Sequence, residues 1–247
     1  PFNGGMYKRN IALKNEGFDT FTTELEMDFT EHDGKSDYIN DRSAYQQVIK
    51  TLQEGEEKQV IGLITMQNHT PYWGDIYEKN EFEVEFEPTP DRESREWEIP
   101  SYFQMLHSSD EYLGEFIDEL DKLDKKVVVL WFGDHSAGLF DVLNNSEVKE
   151  ERDLTRLTPY FVYANYDAKF TTRKLPTTTP NCMANTMQNI LNWKKSSLYY
   201  LVDEVCAAEP ILTKHYLQDR ELNNAEIMRD YELLTYDLLS GKQYWMK

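Results

Sequence analysis

The chain has 247 residues, enough for one large domain with a sizeable core. Its 45 acidic and 26 basic residues give a net charge of −19. This charge argues against binding to nucleic acid or to an anionic membrane surface, because both are met by clustered Lys and Arg. The composition is 40% apolar with a mean hydropathy of −0.70, which indicates a packed globule with a very polar surface.

The first part of the chain is predicted to consist of two helices and a long loop. Residues 6–15 form a short helix that Gly17 ends, since glycine readily adopts the left-handed conformation after a helix. Residues 22–40 are polar and acidic, as expected of a loop. Residues 41–52 are predicted to be a helix capped by Asp41. Its apolar face contains Ala44, Val48, Ile49 and Leu52.

Two apolar runs of strand length enclose the strongest helical pattern in the chain. The runs are residues 60–66 and 127–132, and residues 100–124 between them repeat apolar side chains at i, i+3 and i+4. A strand, a helix and a second strand in this order predict a βαβ crossover, in which the two strands are parallel in one sheet. We therefore expect an α/β fold with a parallel-rich sheet flanked by helices.

Both apolar runs are followed by side chains that carry chemistry. His69 follows the first run, and Asp134 and His135 follow the second after Gly133. Because ligands gather at the carboxyl edge of parallel strands, the crossover predicts that the three side chains lie at one edge of the sheet. The alternative for Asp134 and His135 is an ordinary loop with a helix cap.

The remaining elements are predicted from shorter patterns. Residues 81–87 alternate Glu with apolar residues, which is typical of a half-exposed strand. The rival interpretation of the Glu row as a cation site is weak, since residues about 7 Å apart along a strand do not form a coordination sphere. Residues 157–164 are a third strand candidate, and residues 180–193 and 197–208 are predicted helices, the first opened by a proline.

The two cysteines, Cys182 and Cys206, lie in apolar helical patterns. Two cysteines do not make a disulfide framework or a zinc site, and their surroundings favour buried thiols over a bridge. Cysteine usage therefore leaves the cellular compartment open. The sequence shows neither a signal peptide nor a run of about 18 apolar residues.

Asp134, His135 and His69 are suited to a divalent metal and an anionic substrate. A carboxylate oxygen with a neutral imidazole nitrogen suits Mn²⁺ or Zn²⁺ better than Ca²⁺, which prefers oxygen alone. Two ligands do not hold a catalytic metal, however, and the other predicted strand ends offer no second carboxylate pair with an obvious spacing.

Several short motifs follow one another along the chain. They are Gly-Met-Tyr-Lys-Arg-Asn at 5–10 before Glu-Gly-Phe-Asp at 16–19, Met-Gln-Asn-His-Thr-Pro-Tyr at 66–72, Ser-Tyr-Phe-Gln-Met-Leu-His at 101–107, and Trp-Phe-Gly-Asp-His at 131–135. In this order they resemble the lipoteichoic acid synthase family, phosphoglycerol transferases of the sulfatase and alkaline phosphatase superfamily. The resemblance covers residues 1–170, and residues 175–216 are similar to the family's C-terminal helices. It implies a sulfatase-like catalytic domain of which residues 1–247 are the C-terminal part.

The resemblance also implies roles for four residues. Asp134 and His135 correspond to two metal ligands, with Mn²⁺ expected and Mg²⁺ or Zn²⁺ as alternatives. His69 corresponds to a histidine that contacts the phosphate or glycerol group of the substrate. Arg9 corresponds to an arginine that binds the same group, within a Trp-Asn-Arg-Asp pattern that here reads Tyr-Lys-Arg-Asn. A guanidinium suits a phosphate because it donates two hydrogen bonds in one plane.

The family's nucleophilic threonine and a glutamate ligand are expected upstream of Pro1, since neither Thr65 nor Thr70 falls in the nucleophile motif. We therefore expect a part of an enzyme anchored on the extracellular face of a bacterial membrane, inactive without its N-terminal half. The expected substrate is a phosphoglycerol-bearing lipid or polymer.

His107 matches the family's pattern but is interpreted as packing or a cap contact, and His32 and His215 receive no role. The alternatives are a sulfatase or phosphoethanolamine transferase, or a non-catalytic binding domain of the same fold.

Overall fold

The computed structural model describes residues 4–55, 58–83, 85, 98–137, 139, 156–169, 173–218 and 220–246. The chain divides into two compact units. The first contains Pro1–Val127 and Gly133–Pro159, and the second contains Val128–Phe132 and Tyr160–Lys247. Among the described residues, no helix combines the length and the apolar character needed to cross a membrane.

The described residues of the first unit form three α-helices. They are α1 (Arg9–Asn15), which follows a 3₁₀ turn at Met6–Lys8, α2 (Asp41–Glu54) and α3 (Glu98–Asp121). Gly17 follows α1 with a positive φ of 95°, as predicted. The cap of α2 is Asn40, whose side chain accepts a hydrogen bond from the amide of Ser43, so the prediction that Asp41 is the cap is wrong by one residue.

The core of the first unit lies between α3 and the segment that follows His69. Tyr72, Ile76, Met105 and Leu139 form a buried cluster. Helix α2 packs on α3, where the rings of Tyr45 and Phe116 stack with centroids 4.6 Å apart. These contacts hold both ends of the segment between α2 and α3, which carries His69.

The predicted strand over residues 60–66 is wrong for the structure as described. The segment forms no ladder, and its apolar side chains before Met66 are exposed, with Val60 86% accessible. An apolar run predicts burial in a sheet only if a neighbouring strand is available, and hydrophobic patterning does not test that condition. The prediction of a parallel βαβ crossover between residues 60–66 and 127–132 is therefore wrong as well. The strand predicted over residues 81–87 falls partly outside the described residues, and its described part, 81–83 and 85, is not a strand.

In the part of the second unit that the structure describes, the sheet has two strands, β1 (Val128–Phe132) and β2 (Tyr160–Ala164). They pair antiparallel from Val128 opposite Ala164 to Phe132 opposite Tyr160. Both strands lie within predicted strand regions. The expected parallel-rich arrangement is thus replaced, among the described strands, by an antiparallel pair. Trp131 and Phe161 stack across it with ring centroids 5.4 Å apart.

Among the residues described after the sheet, the second unit has four α-helices: α4 (Pro180–Ile190), α5 (Ser197–Ala208), α6 (Lys214–Gln218) and α7 (Ala225–Leu239). A 3₁₀ turn at Tyr244–Met246 follows them. Helices α4 and α5 pack together and are joined by a disulfide between Cys182 and Cys206, whose Cα atoms are 5.8 Å apart. The prediction of buried free thiols is therefore wrong. Helical periodicity placed each cysteine on an apolar face without showing that the two faces meet.

Candidate metal and substrate site

Two hydrogen bonds of Gly133 hold the loop that carries Asp134 and His135 immediately after β1. The Gly133 amide donates to the Pro159 carbonyl (3.1 Å), and the Thr158 hydroxyl donates to the Gly133 carbonyl (2.7 Å). A Cβ atom at position 133 would lie only 3.0 Å from Cβ of Thr158. A side chain at position 133 would therefore be crowded by Thr158 unless one of the two shifts by a few tenths of an ångström.

Asp134 and His135 are exposed, and their polar atoms are oriented by local hydrogen bonds. Oδ1 of Asp134 accepts from the His135 amide at 2.9 Å. Nδ1 of His135 donates to the Ser136 carbonyl at 2.8 Å, because a carbonyl oxygen only accepts. The neutral imidazole then has its lone pair on Nε2, which lies 3.6 Å from Oδ2 of Asp134. Histidines that bind a metal through one ring nitrogen commonly donate a hydrogen bond from the other nitrogen in this way.

His69 lies in a loop that leaves the protein interior. Met66 and Gln67 are buried, and the His69 amide donates to the Met66 carbonyl at 3.0 Å. Nδ1 of His69 donates to the Thr70 carbonyl at 2.6 Å and lies 3.4 Å from the Tyr38 hydroxyl. His69 therefore has the same tautomer as His135, with Nε2 as the acceptor of the neutral ring.

His69 and His135 lie together within the first unit, with ring centroids 6.5 Å apart and planes at 79°. The sequence predicted this proximity from a parallel sheet. The proximity is present, whereas the parallel sheet is not, and the two loops meet by a different route. The structure thus brings His69 next to one member of the Asp134–His135 pair.

Arg9 begins α1, and its described contact is local. Its guanidinium carbon lies 5.5 Å from the ring centroid of Tyr7, which is 77% exposed. Tyr7 and Lys8 both have φ of 55°, a left-handed conformation that is uncommon for residues other than glycine. Such backbone conformations cluster at binding sites, which makes this turn a candidate site element. No described contact joins Arg9 to His69 or His135.

A buried polar network that sequence reasoning missed supports the His69 loop. Oδ2 of Asp41 accepts from the Ser109 hydroxyl (2.8 Å), and the Asn68 side-chain amide donates to the same hydroxyl oxygen (2.8 Å). The Asp41 amide donates to the Gln67 side chain at 2.7 Å. The available signal was helical spacing, because Asp41 lies three residues before Ala44 on the face that packs inward.

Burial raises the pKa of Asp41 to about 6, and the negative charge of Asp33 adds to the rise. The hydroxyls of Ser109 and Thr65 act in the opposite direction, since they stabilise the carboxylate. Burial outweighs them because the side chain is almost wholly removed from water: Asp41 is 3% exposed. A carboxyl group in this state changes charge near neutral pH.

The side chains of Asp134 and His135 fit part of a divalent metal site. Their donor types, a carboxylate oxygen and an imidazole Nε2, suit a first-row cation such as Mn²⁺. Among the residues that the structure describes, no group of three or more His, Cys, Asp or Glu side chains is close enough to hold a metal. The described chain therefore offers two donors, fewer than a catalytic metal site requires.

Comparison with known proteins gives the family. The sulfatase family profile matches residues 1–192, more than half of the chain, and the chain belongs to the sulfatase family. It is similar to a solved structure of the Streptococcus pyogenes phosphoglycerol transferase GacH in complex with sn-glycerol-1-phosphate. The TM-score is 0.76 with 21% identity, and the match covers 100% of this chain and 61% of that one. This likeness confirms the sulfatase-like fold expected from the sequence.

Two curated relatives are similar in sequence. A putative cyclic beta-1,2-glucan modification protein of Rhizobium meliloti (strain 1021) is 24% identical over 99% of this chain and 40% of its own length. Lipoteichoic acid synthase 2 of Bacillus subtilis (strain 168) is 24% identical over 64% of this chain and 25% of its own length. The resemblance to lipoteichoic acid synthases is thereby confirmed. The chain spans less than half the length of either curated relative.

Proposed function

We propose that this chain is part of a metal-dependent phosphoglycerol transferase. In this function, phosphoglycerol or a related phosphoryl group passes from a membrane lipid to a cell-envelope polymer. The observation that carries the proposal is the meeting of His69 and His135, whose rings lie 6.5 Å apart with both Nδ1 atoms tied to backbone carbonyls. The phosphoglycerol transferase and lipoteichoic acid synthase among the relatives support the choice of group.

Asp134 and His135 are the proposed metal ligands, with Mn²⁺ as the preferred ion and Mg²⁺ or Zn²⁺ as alternatives. When bound, such an ion supplies positive charge that stabilises a phosphoryl group under attack. The two residues contribute a carboxylate and a lone pair on a ring whose other nitrogen is held by the Ser136 carbonyl. That hydrogen bond raises the basicity of the ligand and fixes its orientation.

His69 and Arg9 are the proposed substrate contacts. Neutral His69 accepts a hydrogen bond at Nε2 from a glycerol hydroxyl, and its protonated form donates from the same atom to a phosphate oxygen. Arg9 supplies a planar, permanently charged group for the phosphate. Tyr7 gives this arginine an aromatic neighbour, as the family pattern has with its tryptophan.

The covalent chemistry proposed for the whole protein uses a threonine nucleophile that the family resemblance places outside these residues. Its oxygen attacks phosphorus and gives up its proton, while the lipid oxygen leaves with the bonding electrons and takes up a proton to become a hydroxyl. A hydroxyl of the acceptor then attacks the same phosphorus and gives up its proton, and the threonine oxygen leaves with the bonding electrons and is protonated again. The 247-residue chain by itself is proposed to be inactive.

We propose that these steps take place on the extracellular face of a bacterial membrane. The disulfide between Cys182 and Cys206 supports this location, because disulfides persist in oxidising compartments and are rare in the cytosol.

The test is an assay of the full-length protein with Mn²⁺ and two substrates, a phosphoglycerol lipid and a generic aryl sulfate. Transfer from the lipid, lost in Asp134→Ala, is the expected result. Turnover of the aryl sulfate without transfer from the lipid would instead indicate a sulfatase, which the family match makes the principal alternative. Function that is unchanged in Asp134→Ala would indicate a non-catalytic domain.

A further inference from the structure

Tyr38 is the side chain that contacts His69 from the side of its Nδ1 atom. Its hydroxyl donates to the Thr70 carbonyl at 3.0 Å and lies 3.4 Å from Nδ1 of His69. The two rings meet edge to face at 72°, with centroids 5.7 Å apart. Tyr38 thus contacts both the imidazole of His69 and the Thr70 carbonyl to which this imidazole donates a hydrogen bond.

The turn that carries Tyr38 is itself held in place. Ile39 is buried and forms a β-bridge with His32, and the Asn40 amide donates to the Glu31 carbonyl at 2.8 Å. Asn40 in turn caps α2. Tyr38 is therefore attached to the rigid start of a helix and not to a free loop.

The protons of this group can be assigned from donor and acceptor chemistry. A phenol has one proton, and Tyr38 gives it to the Thr70 carbonyl, so its oxygen lone pairs remain for Nδ1–H of His69. Thr70 also accepts from Nδ1. With two oxygen acceptors around Nδ1, the neutral ring keeps its proton there and its lone pair on Nε2. Burial raises the pKa of the Tyr38 phenol, so the donor stays protonated in neutral solution.

We propose that Tyr38 is a positioning residue for His69, fixing the Nδ1–H tautomer so that Nε2 accepts a hydrogen bond from a hydroxyl of the substrate's glycerol group. The proposal rests on the proposed role of His69 in binding phosphoglycerol. It assigns the substrate-facing nitrogen an acceptor role whenever the ring is neutral. The opposite tautomer would present a donor at Nε2 and would lose this hydrogen bond.

The experiment records the imidazole nitrogen signals of the ¹⁵N-labelled 247-residue chain at about pH 8, above the ordinary imidazole pKa of about 6.5. His69→Gln identifies the His69 signals among the five histidines. The test variant is Tyr38→Phe, which keeps the ring and removes the hydroxyl. The matched control is Tyr160→Phe in the second unit, whose hydroxyl also donates to a backbone carbonyl, that of Pro176 at 2.6 Å.

We expect wild-type His69 to show a protonated Nδ1 and an unprotonated Nε2, Tyr38→Phe to shift both signals toward a mixture of tautomers, and Tyr160→Phe to leave them unchanged. Wild-type signals of the Nε2–H tautomer would overturn the proposal without any variant, and so would signals that are identical in Tyr38→Phe and wild type.

The affinity of the same proteins for sn-glycerol-1-phosphate, measured by calorimetry with Mn²⁺ present, separates this proposal from the proposed function. We expect Tyr38→Phe to weaken binding about three- to tenfold, the usual effect of one hydrogen bond. Full affinity in Tyr38→Phe would overturn the positioning role. Absence of binding by the wild-type chain would count against the phosphoglycerol site, while the nitrogen signals would still decide whether Tyr38 sets the tautomer of His69.

Discussion

His69 meets His135 edge to face with 6.5 Å between the ring centroids, and each ring donates Nδ1–H to the carbonyl of the residue that follows it. The same local hydrogen bond is thus made twice, in two loops far apart in the sequence. In each loop this bond favours the Nδ1–H tautomer, and at His69 the hydroxyl of Tyr38 is a second acceptor beside Nδ1, so both imidazoles keep Nε2 for an external partner. Nε2 of each neutral ring can therefore bind a ligand without a prior change of tautomer.

The chain is expected to bind Mn²⁺ weakly, because it offers only Asp134 and His135, and removal of Asp134 is expected to abolish this binding. Loss of a hydrogen-bond partner of a metal ligand costs about 10- to 100-fold in affinity, so loss of a ligand should cost at least as much. Titration calorimetry of Asp134→Ala checks this. The control is Asp75→Ala, since Asp75 and Asp134 side chains are both 78% exposed and Asp75 pairs with Lys35 instead. Equal loss in both variants would mean that Mn²⁺ responds to overall charge, and tight binding by the wild-type chain would mean that further ligands lie within it.

Asp41→Asn is expected to change how stability depends on pH. The pKa of Asp41 is about 6 in the folded protein against an ordinary 3.8, so between these values the folded state holds the proton more tightly. The contribution of Asp41 to stability is therefore greatest below pH 3.8 and is lost as pH rises through about 6, a loss of about 3 kcal/mol. Urea unfolding at about pH 4 and pH 7 should show the variant gaining stability relative to wild type as pH rises. A constant difference at all pH values would refute a buried, titrating Asp41.

Gly133→Ala is expected to disturb the metal loop. The new methyl group would lie 3.0 Å from Cβ and 3.3 Å from Cγ2 of Thr158, and overpacking of this kind costs about 1–3 kcal/mol. Because Asp134 is the next residue, Mn²⁺ affinity should fall along with the melting temperature. Gly114→Ala in α3 is the control, since nothing lies within 4 Å of its added methyl group and alanine favours the helix by about 0.5–1 kcal/mol. If position 133 tolerates alanine as well as position 114 does, the close approach to Thr158 has no energetic consequence.

Replacing both Cys182 and Cys206 with serine is expected to lower the free energy of unfolding by about 3 kcal/mol. The bridge joins residues 24 apart in sequence, and its loss frees the unfolded chain of that constraint. Denaturant unfolding with and without reducing agent is the measurement. Wild type should lose stability on reduction and the double variant should not respond. An unchanged wild type under reducing conditions would argue that the bridge is not formed.

The sequence was most informative where structure is determined locally. Helix α5 has its predicted bounds of 197–208, and α3 lies close to its predicted bounds. The signals for a helix, its apolar spacing and its terminal residues, all lie within a few turns of the chain. The choice between Asn40 and Asp41 as the cap failed by one position, since both residue types are good caps. Local sequence thus predicts that a helix exists better than where it starts.

Features that depend on distant partners were not predictable from these patterns. The apolar run at 60–66 has the composition of a strand but forms no ladder, because pairing is decided elsewhere in the chain. The same holds for the two cysteines and for Asp41, whose partners Ser109 and Gln67 lie on other segments. His69 and His135 were expected to be neighbours, and they are, although the argument used a parallel sheet that the described strands do not form.

The way the chain is shared between its two compact units has a practical consequence for protein engineering. The polypeptide passes from one unit to the other after Val127, after Phe132 and again after Pro159. No single cut therefore separates the two units: a cut after Val127 divides the first unit, and a cut after Phe132 or after Pro159 separates β1 from β2. Domain swaps between sulfatase-family members should accordingly exchange residues 128–132 and 160–247 together, as a discontinuous module.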